Sequence, residues 1–186
     1  LARGGAQVTV VDPHAARRDH VLPHIAQELA AAGQATHAGP VQVCASLQEV
    51  DWSGVVLVVE CITEQLAAKQ QLFAELEAVA PPNTVLASNS SGFPISAIAQ
   101  GLATAQRMLG LHFFMPAHLV PLVEVAPHAG TLPEVREHVL AVLRAVGKVP
   151  VVCSGAAGYI VPRLQVVVMN EAARMIEQGA ATAEDI

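Results

Sequence analysis

Short β-branched apolar runs alternate with amphipathic stretches along this chain, and that alternation restricts the fold more than any other feature. Val8-Thr9-Val10-Val11, Val41-Gln42-Val43-Cys44, Val55-Val56-Leu57-Val58-Val59 and Thr84-Val85-Leu86-Ala87 read as strands, as do 108–112, 122–125 and 149–152. Residues 14–33, 64–79, 94–98, 132–146 and 160–178 read as helices, with Gly33, Gly147 and Gly179 placed as stops. The helix at 64–79 carries Leu66, Leu72, Phe73 and Leu76 on an apolar side and Lys69, Gln70, Glu75 and Glu77 on a polar side, and Pro81-Pro82-Asn83 ends it. Strands this short and apolar suit burial on both faces. Their alternation with helices predicts an α/β fold with a mostly parallel sheet.

Bulk properties narrow the partners. The 186 residues are 53% hydrophobic, enough for one well-buried domain and the start of a second. A net charge of -6 with ten Lys plus Arg argues against nucleic acid as a partner. No apolar run approaches the roughly 20 residues of a membrane span. Cys44, Cys61 and Cys153 form no C-x-x-C pair, so neither a disulfide framework nor a metal site is expected, and a reducing cytoplasm fits. The start, L-A-R-G-G, has neither Met nor a secretory apolar core, and reads as cut from within a longer protein. Gly4-Gly5 reads as a helix-end turn. Gly155–Gly158 is the candidate boundary between a domain at 1–154 and a helical one beginning at 155–186.

Chemistry concentrates between Leu86 and Val125. There L-A-S-N-S-S-G, G-L-H-F-F-M-P and P-L-V-E-V place Ser91, His112 and Glu124 after runs that look like successive strand ends. A histidine oriented by a carboxylate is a common general base, because its ordinary pKa of about 6.5 lies near working pH. A neighbouring serine hydroxyl can hold a substrate oxygen.

These segments resemble the active-site region of the 3-hydroxyacyl-CoA dehydrogenase family, which includes lambda-crystallin and L-gulonate dehydrogenase-like relatives. The resemblance runs over essentially the whole chain. It implies a Rossmann-like, doubly wound domain followed by the start of an all-α C-terminal domain whose missing helices would make a homodimer. It also implies NAD as cofactor, a small-molecule substrate, and oxidation of an L-3-hydroxyacyl-CoA to the 3-ketoacyl-CoA. His112 would be the base, Glu124 its orienting partner, and Ser91 the hydrogen-bonding group for the substrate oxygen, next to the cofactor. Asp12 would take the position of the acid that holds the adenosine ribose at the end of the second strand. In V-V-E-C-I-T-E-Q-L-A-A-K, Glu64 and Lys69 match positions that the family uses beside cofactor and CoA. The glycine-rich loop expected about 20 residues before Asp12 is not in the sequence, which implies a fragment.

Three departures bear on the chemistry. H-F-F-N-P of the family reads H-F-F-M-P here, with Met115, and G-F-I-V-N-R reads G-Y-I-V-P-R, with Pro162. Proline brings no side-chain donor and no N–H, although it suits a first helical turn. Between Arg18 and Lys69 there is no Lys or Arg to meet the phosphates of CoA, leaving Arg17, Arg18 and His20 or His24. This sparseness points to an alternative, a free 3-hydroxy acid as in the gulonate and carnitine branches. The run P-L-V-E-V-A-P-H and the pair Glu60-Cys61 also look like the lambda-crystallin side. Met115 and Pro162 favour a third alternative, a catalytically weakened binding or structural relative.

Overall fold

A computed structural model describes residues 1–33, 38–155 and 158–186. Its strands are β1 (Val8–Val11), β2 (Val41–Cys44), β3 (Leu57–Glu60), β4 (Val85–Ser88), β5 (Met108–Phe113), β6 (Leu122–Pro127) and β7 (Val149–Val152). The helices are α1 (Ala15–Ala31), α2 (Leu66–Val79), α3 (Ile95–Ile98), α4 (Pro133–Ala145) and α5 (Val161–Glu177). Every strand and helix expected from the sequence is present, within a few residues of its expected bounds. The proposed boundary at Gly155–Gly158 includes 156 and 157, which lie outside the described residues.

Strands β3-β4-β5-β6-β7 form one five-stranded sheet in that order. All its pairings are parallel except β5 with β6. The exception has a simple cause. A parallel return requires a crossover of about a dozen residues or more, and only 114–121 separates β5 from β6. β1 and β2 pair in parallel as a separate two-stranded sheet, and no described strand joins the two.

Side chains alternate across the central strands, and helices cover both faces. Val85, Ala87, Leu109, Leu111, Val123 and Val125 pack with Val139, Leu140 and Leu143 of α4. Leu86 and Met108 point the other way, against Phe73 and Leu76 of α2 and Ile95 and Ile98 of α3. Full burial of such a side chain contributes roughly 1.5–3 kcal/mol, so this sheet is the stable platform of the chain. The doubly wound expectation holds here.

Two expectations need correction. The sequence puts Lys69 on the polar side of its helix, yet it is 1% exposed. Its helical phase turns it toward the end of β3, where a buried carboxylate waits. Glu124 does not end a strand; it lies in the first half of β6. It reaches the same sheet edge as the end of β5 because β6 runs the opposite way.

Candidate active site

The antiparallel turn-back sets His112 directly opposite Glu124 in the β5–β6 ladder. Directly opposed side chains in such a pair lie close together, and His112 Nδ1 meets Glu124 Oε2 at 2.9 Å. Both residues are buried. A carboxylate only accepts hydrogen bonds, so a neutral ring carries its proton on Nδ1 and presents the Nε2 lone pair. Nε2 lies 3.0 Å from Ser91 Oγ, whose hydroxyl donates to it. Ser91 itself is exposed. The three residues thus form one hydrogen-bonded chain from the sheet interior to an open surface.

Glu124 is held at its other oxygen as well. Oε1 accepts the backbone N–H groups of Ile160 at 3.0 Å and Val161 at 2.8 Å, at the start of α5. Free N–H groups at a helix N-terminus favour negative charge, so the fold supplies the carboxylate with donors on both sides. Pro162 follows as a first-turn residue of α5, where its missing N–H removes no helical bond. Met115 is 83% exposed on the loop after β5.

The Ser88–Phe93 turn, which carries Ser91, is pinned by a second polar cluster. Lys69 Nζ donates to Glu60 Oε1 at 2.8 Å and to the Ile62 carbonyl at 3.3 Å, and pairs with Glu64 Oε2 at 3.2 Å. Those contacts match the three donors of an ammonium group. Glu60 Oε2 accepts from Ser88 Oγ at 2.6 Å. Glu64 Oε1 accepts from Ser90 Oγ and, at 2.9 Å, from Gly92 N–H. Partial burial raises the Glu64 carboxyl, but the Ser90, Gly92 and Lys69 donors outweigh it and hold the group below the usual carboxylate range. Asn89 Oδ1 accepts from Phe113 N–H at 2.9 Å, tying the same turn to β5.

Sequence reading missed Glu60, Ser88, Ser90 and Tyr159 as parts of this site. The clue for Glu60 was an acid closing an apolar strand, since a charge there needs a buried partner. For Tyr159 there was only the tyrosine of G-Y-I-V-P-R.

Asp12 stands apart, at the C-terminal end of β1. Its Oδ1 accepts from His14 N–H at 2.8 Å, and its Oδ2 lies 3.6 Å from Arg17 Nη1. The side chain is 24% exposed. A partly open carboxylate just beyond a parallel strand fits the ribose diol of a dinucleotide. No G-x-G-x-x-G run occurs in the 186 residues, so no pyrophosphate contact is assigned to them.

A mostly parallel five-stranded sheet holding a histidine–carboxylate pair, beside a separate parallel two-stranded unit that ends in an acid, has the layout of a dinucleotide-binding domain. The comparisons place it more closely. Residues 1–156 match the family model described as "3-hydroxyacyl-CoA dehydrogenase, NAD binding domain", and the chain belongs to that family. The fatty acid oxidation complex subunit alpha of Vibrio cholerae is 42% identical over 123 residues, which are 66% of this chain and 17% of that protein. The chain therefore spans about a sixth of that relative's length. FadB2 of M. tuberculosis has a TM-score of 0.88 and 35% identity, over 100% of this chain and 68% of that one. The 3-hydroxybutyryl-CoA dehydrogenase of Escherichia coli gives 0.86 and 31%, over 98% of this chain and 40% of that one.

Proposed function

We propose that the protein containing this chain oxidises an L-3-hydroxyacyl-CoA to the 3-ketoacyl-CoA in fatty acid metabolism. The observation that carries this reading is the unbroken hydrogen-bond chain from Ser91 through His112 to Glu124. NAD, when bound, supplies the acceptor for the carbon-bound hydride. Asp12 would hold its adenosine ribose, and Glu64, Lys69 and Ser91 would border it. With the three contacts of Lys69 directed into the protein, its part there is to set Glu64 and the serine turn.

The proton is the chain's own task. Nε2 of His112 takes the proton of the substrate hydroxyl, and Ser91 turns its donor from Nε2 to the substrate oxygen. Glu124 keeps the ring in the productive tautomer and balances the imidazolium that forms.

A second reading, a free 3-hydroxy acid as substrate, rests on charge. No Lys or Arg lies between Arg18 and Lys69, and phosphates are usually met by such groups or by helix N-termini. Reduction of acetoacetyl-CoA and of acetoacetate by NADH, run side by side with the intact protein, separates the two. Turnover of the thioester with little of the free acid is expected. The reverse ratio would establish the second reading.

The domain limits at 1–154 and 155–186, a homodimer and a cytoplasmic location complete the proposal. α5 has no buried residue and exposes Leu164, Val166, Val167, Val168 and Met169. A helix apolar on several sides calls for further helices around it, which supports a helical domain and a dimer built on it. Three free thiols among the described residues suit a reducing compartment. No helix among those residues is long and apolar enough to cross a membrane.

A further inference from the structure

Tyr159 is the one non-glycine residue with positive φ among those described, at 40°. L-residues rarely adopt that region, and a bulky one needs a reason to be there. The reason lies in where the side chain goes. The residue is 6% exposed, and its ring lies 5.2 Å, centroid to centroid, from the His112 imidazole. Its hydroxyl donates to the Ser90 carbonyl at 2.9 Å. β5 leaves room for this approach. A Cβ on Gly110 would stand 2.8 Å from the tyrosine oxygen, closer than real Cβ contacts allow. Glycine inside a strand often marks such a close passage.

Ser90 is consequently held at each of its polar atoms. Its N–H meets Ser88 Oγ at 3.2 Å, its hydroxyl donates to Glu64, and its carbonyl accepts from Tyr159. The next residue is Ser91. The two residues after Tyr159, Ile160 and Val161, donate their N–H groups to Glu124. One short segment therefore grips both ends of that hydrogen-bonded chain.

We propose that Tyr159 is a positioning residue, whose hydroxyl holds the Ser90–Ser91 peptide and whose ring backs His112, so that the Ser91–His112 contact depends on the seating of the segment that leads into α5. Burial first, and nearby Cys153, Glu124 and Glu64, push the phenol up to about 12, so it remains a donor throughout the working range. The proposal rests on the dehydrogenase reading for its kinetic consequence, but not for its structural one.

The test uses the intact protein carrying Tyr159→Phe, Ser91→Ala or both. Phenylalanine keeps the ring and removes only the hydroxyl. Loss of one such hydrogen bond is expected to lower kcat for acetoacetyl-CoA reduction roughly three- to tenfold, with KM changed less than about twofold. In the Ser91→Ala background the same substitution should change kcat by less than about twofold, because its effect runs through Ser91. The ¹⁵N resonance of His112 Nε2 in the substrate-free protein is the second readout, and it requires no turnover. Tyr159→Phe should move it toward its position in Ser91→Ala. An equal kinetic loss in both backgrounds, or an unmoved Nε2 resonance, would overturn the proposal. If the unmodified protein turned over no substrate, the dehydrogenase reading would fall, and the Nε2 resonance would still decide the role of Tyr159.

Discussion

The five-stranded sheet and the β1–α1–β2 unit are built to different standards. In the sheet, Leu86, Leu109, Leu111, Val123 and Val125 are fully buried between helices on both faces. Among the described residues of the β1–α1–β2 unit, only Leu29 is buried, while Leu22 is 50% and Val11 36% exposed. The proposed proton relay sits on the first region and the proposed ribose contact on the second. Proton transfer needs groups held within a fraction of an ångström, whereas a carboxylate reading a ribose tolerates more play. The proposal thus puts the most demanding chemistry on the best-packed framework.

Truncation should expose that contrast most strongly. Leu111→Ala removes a fully buried side chain between β5 and α4 and should cost about 2–5 kcal/mol in denaturant unfolding, whereas Leu22→Ala on α1 should stay within about 0.5 kcal/mol. Equal losses at the two sites would erase the distinction.

Alkaline titration gives the next effect. A phenol raised from 10.0 to about 12 ionises first in the unfolded chain. The sheet's stability is therefore full below pH 10 and falls as pH rises toward 12, by on the order of 2 kcal/mol. Tyr159→Phe should abolish this component of the pH dependence while leaving the neutral-pH fold in place.

The smaller effect belongs to the looser region. NAD should be preferred to NADP, since Asp12 repels a ribose phosphate, and Asp12→Ala should narrow the ratio of kcat/KM values about tenfold, the worth of one charge-assisted hydrogen bond. Equal use of both cofactors by the unmodified protein would remove Asp12 from the site. Arg17, at 3.6 Å from its carboxylate, is the group placed to reverse the preference.

The strands were legible because β-branched runs between glycine and proline stops have few other outcomes, and α5 because Pro162 suits a first turn and Gly179 closes the stretch. His112 and Glu124 stood out as candidates through their flanks, but their direct opposition did not, because it depends on β6 reversing direction. The burial of Lys69 was also hidden. Its phase, three residues after Leu66 and four before Phe73, lies on the apolar face, but the group that lets an ammonium lie there, Glu60, belongs to another element. Tyr159 was harder still, since an aromatic residue near a domain boundary reads as packing. Its hydrogen bond spans 69 positions and requires a backbone angle that the residue type disfavours.

The central claim is that His112, oriented by Glu124, moves the substrate proton. Steady-state kinetics and NAD binding of His112→Ala in the intact protein test it most directly. Loss of a positioned base should lower kcat by about 10²–10⁴-fold, with the Kd for NAD nearly unchanged because Asp12 lies elsewhere. An unchanged kcat would contradict the assignment of His112 as the base.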